Sequence, residues 1–547
     1  PERVKDKYIE SVLSYLRFLN NNRDLNDNKI TAEVKTYVNK VLEIDPENKE
    51  AQEYLSNEDE NLKRNAQNRN YKNLKRLTIG LVILIFIIIL GGIAFLVTPN
   101  LKSNQLEPEL SSDEKEKRFS SRGKRIIVDR NTNKQDYNNN FSECNKDFKE
   151  KKYSEAAGCF EELVKSDSNE PESLIYKNNA LNRNRQSTNS QLQIVSIAVI
   201  VSADQDEKSK EMLRGVAQAQ HSFNEKKSFS ANPRFLLEIV IVDDSNDPKI
   251  SLKVAREIVK NKSILGVIGN LSKDALGVYK QENLAVISPT SISNELNSET
   301  LFTTIDYKIL SKKLAEYVQQ LDVEKVVIFY NQKSSSSKSI KDYFKFYFPS
   351  SKLIREVDLK QQSFDSEVES AIEEKFEVGI LFPDSETVDS AIEIAKINYL
   401  NQEEQQLKLL GSNDLYYCDI LKKGKQAVKG LILAVPWFKG TPEAKNFSTE
   451  VKDRWGGEVS WLTAASYDGT QAFISAISSL SNSDENPTRS TVLQKVKEVN
   501  LPAKETSGEN LRFSPEGERE GKAILVEVVD NSSNPDCSNL DFRPVEE

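Results

Sequence analysis

The chain has 547 residues, a formal net charge of −9 and 29% charged residues. An acidic balance of that size disfavours a general nucleic-acid binder. A single histidine, His221, leaves a His-based triad one candidate and excludes a multi-histidine metal site. Length alone points to about three or four domains.

Residues 1–60 read as helices. Ala32–Leu55 carries apolar residues at helical spacing, then Asp45-Pro46, then a second helix start. That pattern resembles the turn between tetratricopeptide repeats. A small helical hairpin is the plainer alternative, since one and a half repeats cannot bury a solenoid core.

Leu77–Val97 (LTIGLVILIFIIILGGIAFLV) contains no charge. As a helix it spans about 30 Å, the thickness of a bilayer's hydrocarbon layer. Lys63, Arg64, Arg69, Lys72, Lys75 and Arg76 precede it. Acids dominate after it, at Glu107, Glu109, Asp113 and Glu114. The positive-inside rule then expects a single-pass inner (plasma) membrane protein with a cytoplasmic N-terminus. The rest of the chain is expected in the periplasm or another extracytoplasmic space.

Residues 98–135 are expected to form a polar linker. Residues 136–185 return to helical spacing, with Tyr153, Ala156, Phe160 and Leu163 on one face and Pro171 opening a new helix. They too resemble a tetratricopeptide unit.

From residue 192 the pattern changes. Strand-length apolar runs at Gln193–Val201, Phe235–Val242, Ile264–Ile268, Ala285–Ile287, Val326–Phe329, Val378–Phe382 and Leu431–Val435 alternate with helical stretches. Alternation of this kind means parallel sheets covered by helices. The length is too great for one compact sheet, so two α/β lobes are expected. Ligands of such sheets bind beyond the carboxyl ends of the strands, here in an interlobe cleft.

Five segments carry a family resemblance. Ile239–Asn261 (IVIVDDSNDPKISLKVAREIVKN), Ile264–Leu276 (ILGVIGNLSKDAL) and Leu284–Leu296 (LAVISPTSISNEL) come first. Trp461–Ile477 (WLTAASYDGTQAFISAI) and Glu509–Val529 (ENLRFSPEGEREGKAILVEVV) follow. In this order they resemble the type I periplasmic binding proteins, in the branch that binds branched-chain amino acids. The phrase EPESLIYKNNALNR resembles the helix preceding such domains in membrane-anchored cyanobacterial members. The resemblance implies a bilobal receptor over about 192–530 with three crossovers. Lobe 1 would hold about 192–308 and 440–515, lobe 2 about 309–439 and 516–530, leaving 531–547 as a C-terminal tail.

It also implies a ligand site. Ser272, Thr290 and Ser291, with Ser293 beside them, match or adjoin the positions that hold a ligand carboxylate. Each is equally readable as a loop or cap residue. In the opposite lobe the family's aromatic position falls on Ser335, and its acid on Asn413 or Asp414. Pro383-Asp384 offers a further contact, and Trp437 either lines the cleft or packs. Asp243, Asp244 and Asp247 read first as strand-end and helix caps. The missing aromatic, and Ile292 where threonine is common, put an unmodified branched-chain amino acid in doubt.

All four cysteines, Cys144, Cys159, Cys418 and Cys537, follow the apolar run. That suits an oxidising compartment. Cys144 can face Cys159 across a helical hairpin, and Cys418 with Cys537 can tie the tail to lobe 2. Three pairings are open, as are four free thiols. No nucleophile elbow, phosphate loop or ligand cluster appears, so neither an enzyme nor a cofactor is expected.

The expected function is a membrane-anchored solute-binding protein taking an amino acid or a relative, the substrate-binding component of an ABC-type uptake system with its permease. The alternatives are a sensor signalling to a cytoplasmic helical part or effector, and a degenerate receptor domain acting as a protein-interaction scaffold.

Overall fold

The computed structural model describes residues 109–545 apart from 120–125, 129–134, 204–205, 229–233, 270, 291–299, 350, 402–405, 458–459 and 483–484, together with 38, 42, 45, 48, 49 and 52. The apolar run Leu77–Val97 and most of 1–60 lie outside them. No helix among the described residues is long and apolar enough to cross a membrane. The chain divides into two compact units, Pro1–Glu107 and Pro108–Glu547. In the first, Val38, Leu42, Lys49 and Gln52 are helical. Asn48 Nδ2 donates to Asp45 Oδ2 at 3.1 Å and Gln52 N donates to Asn48 O at 3.1 Å, so a helix opens just after Asp45-Pro46.

The second unit begins within the stretch expected as linker, and its described parts are packed. Helix α1 (Ser112–Arg118) starts in a reciprocal cap between Ser111 and Glu114. Phe119 then bridges Val242 antiparallel, and Ile126, Ile127 and Val128 are buried. The buried carboxylate of Glu172 accepts from the amides of Ile127 and Val128 at 2.7–3.1 Å.

Helices α2 (Gln135–Lys149), α3 (Tyr153–Ser166) and α4 (Pro171–Thr188) follow. The Cys144–Cys159 disulfide joins α2 to α3. Phe141, Phe160 and Tyr176 fill the space between the three helices, with ring centroids 5.4–5.6 Å apart. Helix α4 is buried on most sides, because it also packs against the first sheet.

That sheet is wholly parallel, in the order β2-β1-β3-β4-β5. Its strands are β1 (Gln193–Val201), β2 (Phe235–Asp243), β3 (Ile264–Ile268), β4 (Ala285–Ser288) and β5 (Thr300–Phe302). Helices α5 (Asp206–Ser228), α6 (Pro248–Lys260) and α7 (Lys273–Gln281) connect them. β2 is an edge strand, whose free main-chain groups need partners. Side chains supply them. Asn179 and Asn182 of α4 and Gln220 and Asn224 of α5 bond the main chain of Leu237 and Ile239 at 2.8–3.1 Å. Arg183 clasps Glu238 in a two-pronged ion pair at 2.6–2.7 Å. The three helices are thus part of lobe 1.

The second lobe holds a seven-stranded sheet in the order β14-β13-β10-β9-β8-β6-β7. Its parallel strands are β6 (Lys325–Tyr330), β7 (Leu353–Asp358), β8 (Val378–Phe382), β9 (Lys408–Gly411) and β10 (Ile432–Val435). Helices α8 (Tyr307–Gln320), α9 (Ser335–Tyr347), α10 (Asp365–Glu373), α11 (Val388–Tyr399) and α12 (Cys418–Gly424) accompany them. The chain then returns to lobe 1 for α13 (Lys445–Trp455), α14 (Trp461–Asn482), α15 (Arg489–Lys497) and the short pair β11 (Asn500–Leu501) and β12 (Leu511–Arg512). It ends in lobe 2 with β13 (Ile524–Asp530) and β14 (Leu540–Pro544), both antiparallel. Residues 531–545, expected as a tail, therefore finish the sheet. The Cys418–Cys537 disulfide fastens them to α12.

Three crossovers join the lobes, and one buried network ties them together. Arg519 donates to the carbonyl of Thr303 at 2.7 Å and to Asp468 Oδ2 at 2.6 Å. Asp468 accepts from Ser507 N and Oγ at 2.7 and 2.9 Å. Trp437 Nε1 donates to Ser507 O at 3.0 Å. Thr303, Trp437 and Arg519 each belong to a different crossover.

Candidate functional site

In each sheet the strand order reverses beside its first strand, between β1 and β3 in one lobe and between β6 and β8 in the other. A crevice forms at such a point, beyond the carboxyl ends of the strands. The two crevices face each other across a cleft of about 350 Å³. Lobe 1 lines it with Ser202, Lys208, Ser209, Asp244 and Thr290, and Trp461 adds a ring. Lobe 2 contributes Tyr307, Ser334, Ser335, Ser336, Asp384, Asn413 and Asp414.

Local chemistry fixes most of these groups. The Asp243 carboxylate accepts from Ala203 N and Ser245 N at 3.1 and 2.8 Å, holding the loops after β1 and β2 together. Arg118 of α1 braces the same loop through Asp243 O and Ser245 Oγ at 3.3 and 3.1 Å. Asp244 accepts from Asn246 N at 2.9 Å and turns toward the cleft. Burial pushes its carboxyl up to about 6, helped by the neighbouring charge of Asp243. After β3, a Cβ on Gly269 would stand 2.8 Å from Ile200 Cβ, so only glycine lets β3 leave so close to β1.

In lobe 2 Ser334 caps α9, accepting from Ser337 N. Asp384 accepts from Asn331 Nδ2 and Thr387 Oγ1, both at 2.8 Å, and from Glu386 N at 3.1 Å. Burial works against its charge. The hydrogen bonds from Thr387, Ser334, Asn331 and Glu386 outweigh it and hold the carboxyl below the usual range. Asp414 meets Lys208 of the opposite lobe, Nζ to Oδ1 at 3.1 Å. Ser202 Oγ and Asn413 Oδ1, buried polar atoms of the lining, have no hydrogen-bond partner among the described residues. Such atoms are costly unless something completes them.

Of the expected site residues, Thr290, Ser335, Asn413 and Asp414 line this one cleft. Ser291 and Ser293 lie outside the described residues. Ser272 does not line it, because its hydroxyl caps α7 by accepting from Ala275 N at 3.3 Å. Trp437 packs instead of lining, buried against Phe447. Asp247 is a helix cap, accepting from Lys249 and Ile250. Lys208, Ser202, Tyr307 and Trp461 were not expected. Lys208 sits in the first turn after β1, where the crevice rule alone would have directed attention. His221 is a buried structural side chain, with Nδ1 3.1 Å from Asn178 Oδ1 on α4. No cluster of possible metal ligands occurs among the described residues.

A family model described as periplasmic binding protein matches residues 200–533. The chain belongs to the periplasmic binding protein family. Solved structures share its fold. The leucine binding protein LivK of Thermotoga maritima is 15% identical with a TM-score of 0.52, covering 64% of this chain and 97% of its own. LivJ of Streptococcus pneumoniae, in complex with isoleucine, is 13% identical with a TM-score of 0.54, covering 65% of this chain and 100% of its own. A solute binding protein of an ABC transporter from Rhodopseudomonas palustris, in complex with 3,4-dihydroxybenzoic acid, is 14% identical with a TM-score of 0.53, covering 64% and 96%. No curated protein sequence matches the chain. The two α/β lobes and their parallel sheets are those of type I periplasmic binding proteins.

Proposed function

We propose that this chain is a membrane-anchored, extracytoplasmic solute receptor. It binds a small ligand, an amino acid or a relative, by closing two lobes over it. It serves an ABC-type uptake system as the substrate-binding component. Leu77–Val97 anchors it, with the N-terminus in the cytoplasm.

One observation carries the reading. Hydroxyls from both lobes, the acid Asp414 and the unpartnered Asn413 Oδ1 converge on one cleft of about 350 Å³. That volume suits a small molecule. The ligands named for the similar structures, leucine, isoleucine and an aromatic acid, suggest the range to try.

A second reading is favoured by the seam between α4 and β2. A helix bonded to the main chain of lobe 1 couples the receptor rigidly to the chain that leads into it. Such coupling suits a sensor that passes ligand closure to a cytoplasmic helical part or effector.

A thermal-shift screen against amino acids and aromatic acids tests both readings. A ligand at 100 times its dissociation constant adds about 2.7 kcal/mol of stability. Silence across the panel would leave the scaffold reading in their place.

A further inference from the structure

Lys208 is the one cation among the described lining residues of the cleft, where Asp244, Asp384, Glu386 and Asp414 supply four acids. It comes from the first turns of α5 in lobe 1. Its partner Asp414 follows β9 in lobe 2. Asp384 is satisfied within its own lobe, and Glu386 takes Lys360 at 2.8 Å on the surface of lobe 2. The Lys208–Asp414 pair therefore joins the lobes across the cleft, away from the crossovers.

Resting on the solute-receptor reading, we infer that Lys208 stands at Asp414 in the place a ligand's own cation takes. The pair is an internal latch, and the cleft selects ligands whose positively charged group displaces Lys208. The geometry fits an exchangeable contact. The Lys208 side chain is 31% exposed and Asp414 14%, so the pair is neither dry nor fully solvated. Half-open ion pairs of this kind contribute little and are screened by salt. A ligand ammonium can replace one easily. The released Lys208 gains water, and Asp414 keeps a charged partner throughout, so no buried charge is stranded. The remaining acids attract cations to the mouth. A ligand with a carboxylate alone gains nothing at Asp414.

The test separates the latch from the ligand reading. Small-angle scattering of the chain without added solute compares wild type, Lys208→Gln, Asp414→Asn and the exchanged pair K208D/D414K. The single variants should expand and the exchange should restore the compact form. Single variants that scatter as wild type, with circular dichroism showing intact folding, overturn the latch. Calorimetric titration with leucine, arginine, putrescine and benzoate follows. Lys208→Gln should bind the ammonium-bearing probes about two- to five-fold more tightly than wild type and should not tighten benzoate. Equal affinities in both proteins overturn the competition. Binding of no probe by either protein overturns the ligand-binding reading instead, and with it the competition, while the scattering result still decides the latch.

Discussion

Asn179 binds the main chain of Ile239 twice, its Nδ2 donating to the carbonyl at 2.8 Å and its Oδ1 accepting from the amide at 3.1 Å. A side-chain amide here takes the place of a neighbouring strand. The outer edge of β2 is occupied by side chains of α4 and α5 at Leu237 and Ile239 and bridged by Phe119 at Val242, which blocks pairing with another chain there.

Replacing Asn179 by Leu should therefore destabilise the protein by about 2–4 kcal/mol, since two buried main-chain groups are left unpaired. Urea unfolding measures this directly. A loss below about 0.5 kcal/mol, within the range of ordinary surface changes, would show that the seam is ornamental.

The crossover network makes a second prediction. Asp468 is fully buried and Arg519 nearly so. Burial pushes the Asp468 carboxyl up, while Arg519 and Ser507 pull it down and recover part of the cost. Asp468→Ala strands the guanidinium and should cost about 3–5 kcal/mol. The apolar pair Asp468→Leu with Arg519→Met should recover much of that. Equal losses in single and double variants would mean that the pair is not coupled.

Two buried groups titrate in opposition. Asp244 rises to about 6, so the folded state holds its proton more tightly than the unfolded chain does. Its contribution is full below pH ~4 and is lost as pH rises to ~6. His221 is lowered to about 4 by burial and by the charge of Arg454, with Glu225 pulling the other way. Its contribution is full above pH ~6.5 and is lost as pH falls toward ~4. Each spans on the order of 3 kcal/mol, so the wild-type profile across this window is flattened. Relative to wild type, Asp244→Asn should lose stability on acidification and His221→Gln should gain it. Chemical denaturation at pH 4, 5, 6 and 7 reads both slopes. Parallel profiles in all three proteins would contradict the assignment.

The site itself is tested by contrast. Thr290→Val and Asn413→Leu should each weaken any ligand found in the screen by roughly ten-fold, the worth of one lost hydrogen bond. Ser272→Ala should cost about 1 kcal/mol of stability, as a lost helix cap does, and leave affinity unchanged. A Ser272 variant that loses ligand would return that hydroxyl to the site.

Much of the fold was legible because apolar strands and amphipathic helices alternate so regularly. β1, β3 and β8 match the ranges expected for them. β7 and β14 escaped notice for a physical reason. Each lies at an edge of its sheet, is only partly buried, and so reads as polar chain (LIREVD and LDFRP). β5 is too short to show a period. The packed parts of 109–128 escaped because their contacts are long-range. Nothing near Glu172 announces that it will hold Ile127 and Val128. At the site, Thr290, Ser335, Asn413 and Asp414 followed from the family pattern. Lys208 did not, since the pattern offered no lysine there and only the opposing lobe gives it a partner.

The helices before the receptor domain change what its motion would look like. α4 is bonded to the sheet of lobe 1 and α2 and α3 pack with it, while the main chain passes to lobe 2 through the crossovers. In such a motion lobe 1 with its three helices would be the stator, and lobe 2 the rotor. A label on α4 would keep a fixed distance from one on β1 through an opening cycle, and a label on α9 would sweep the arc alone.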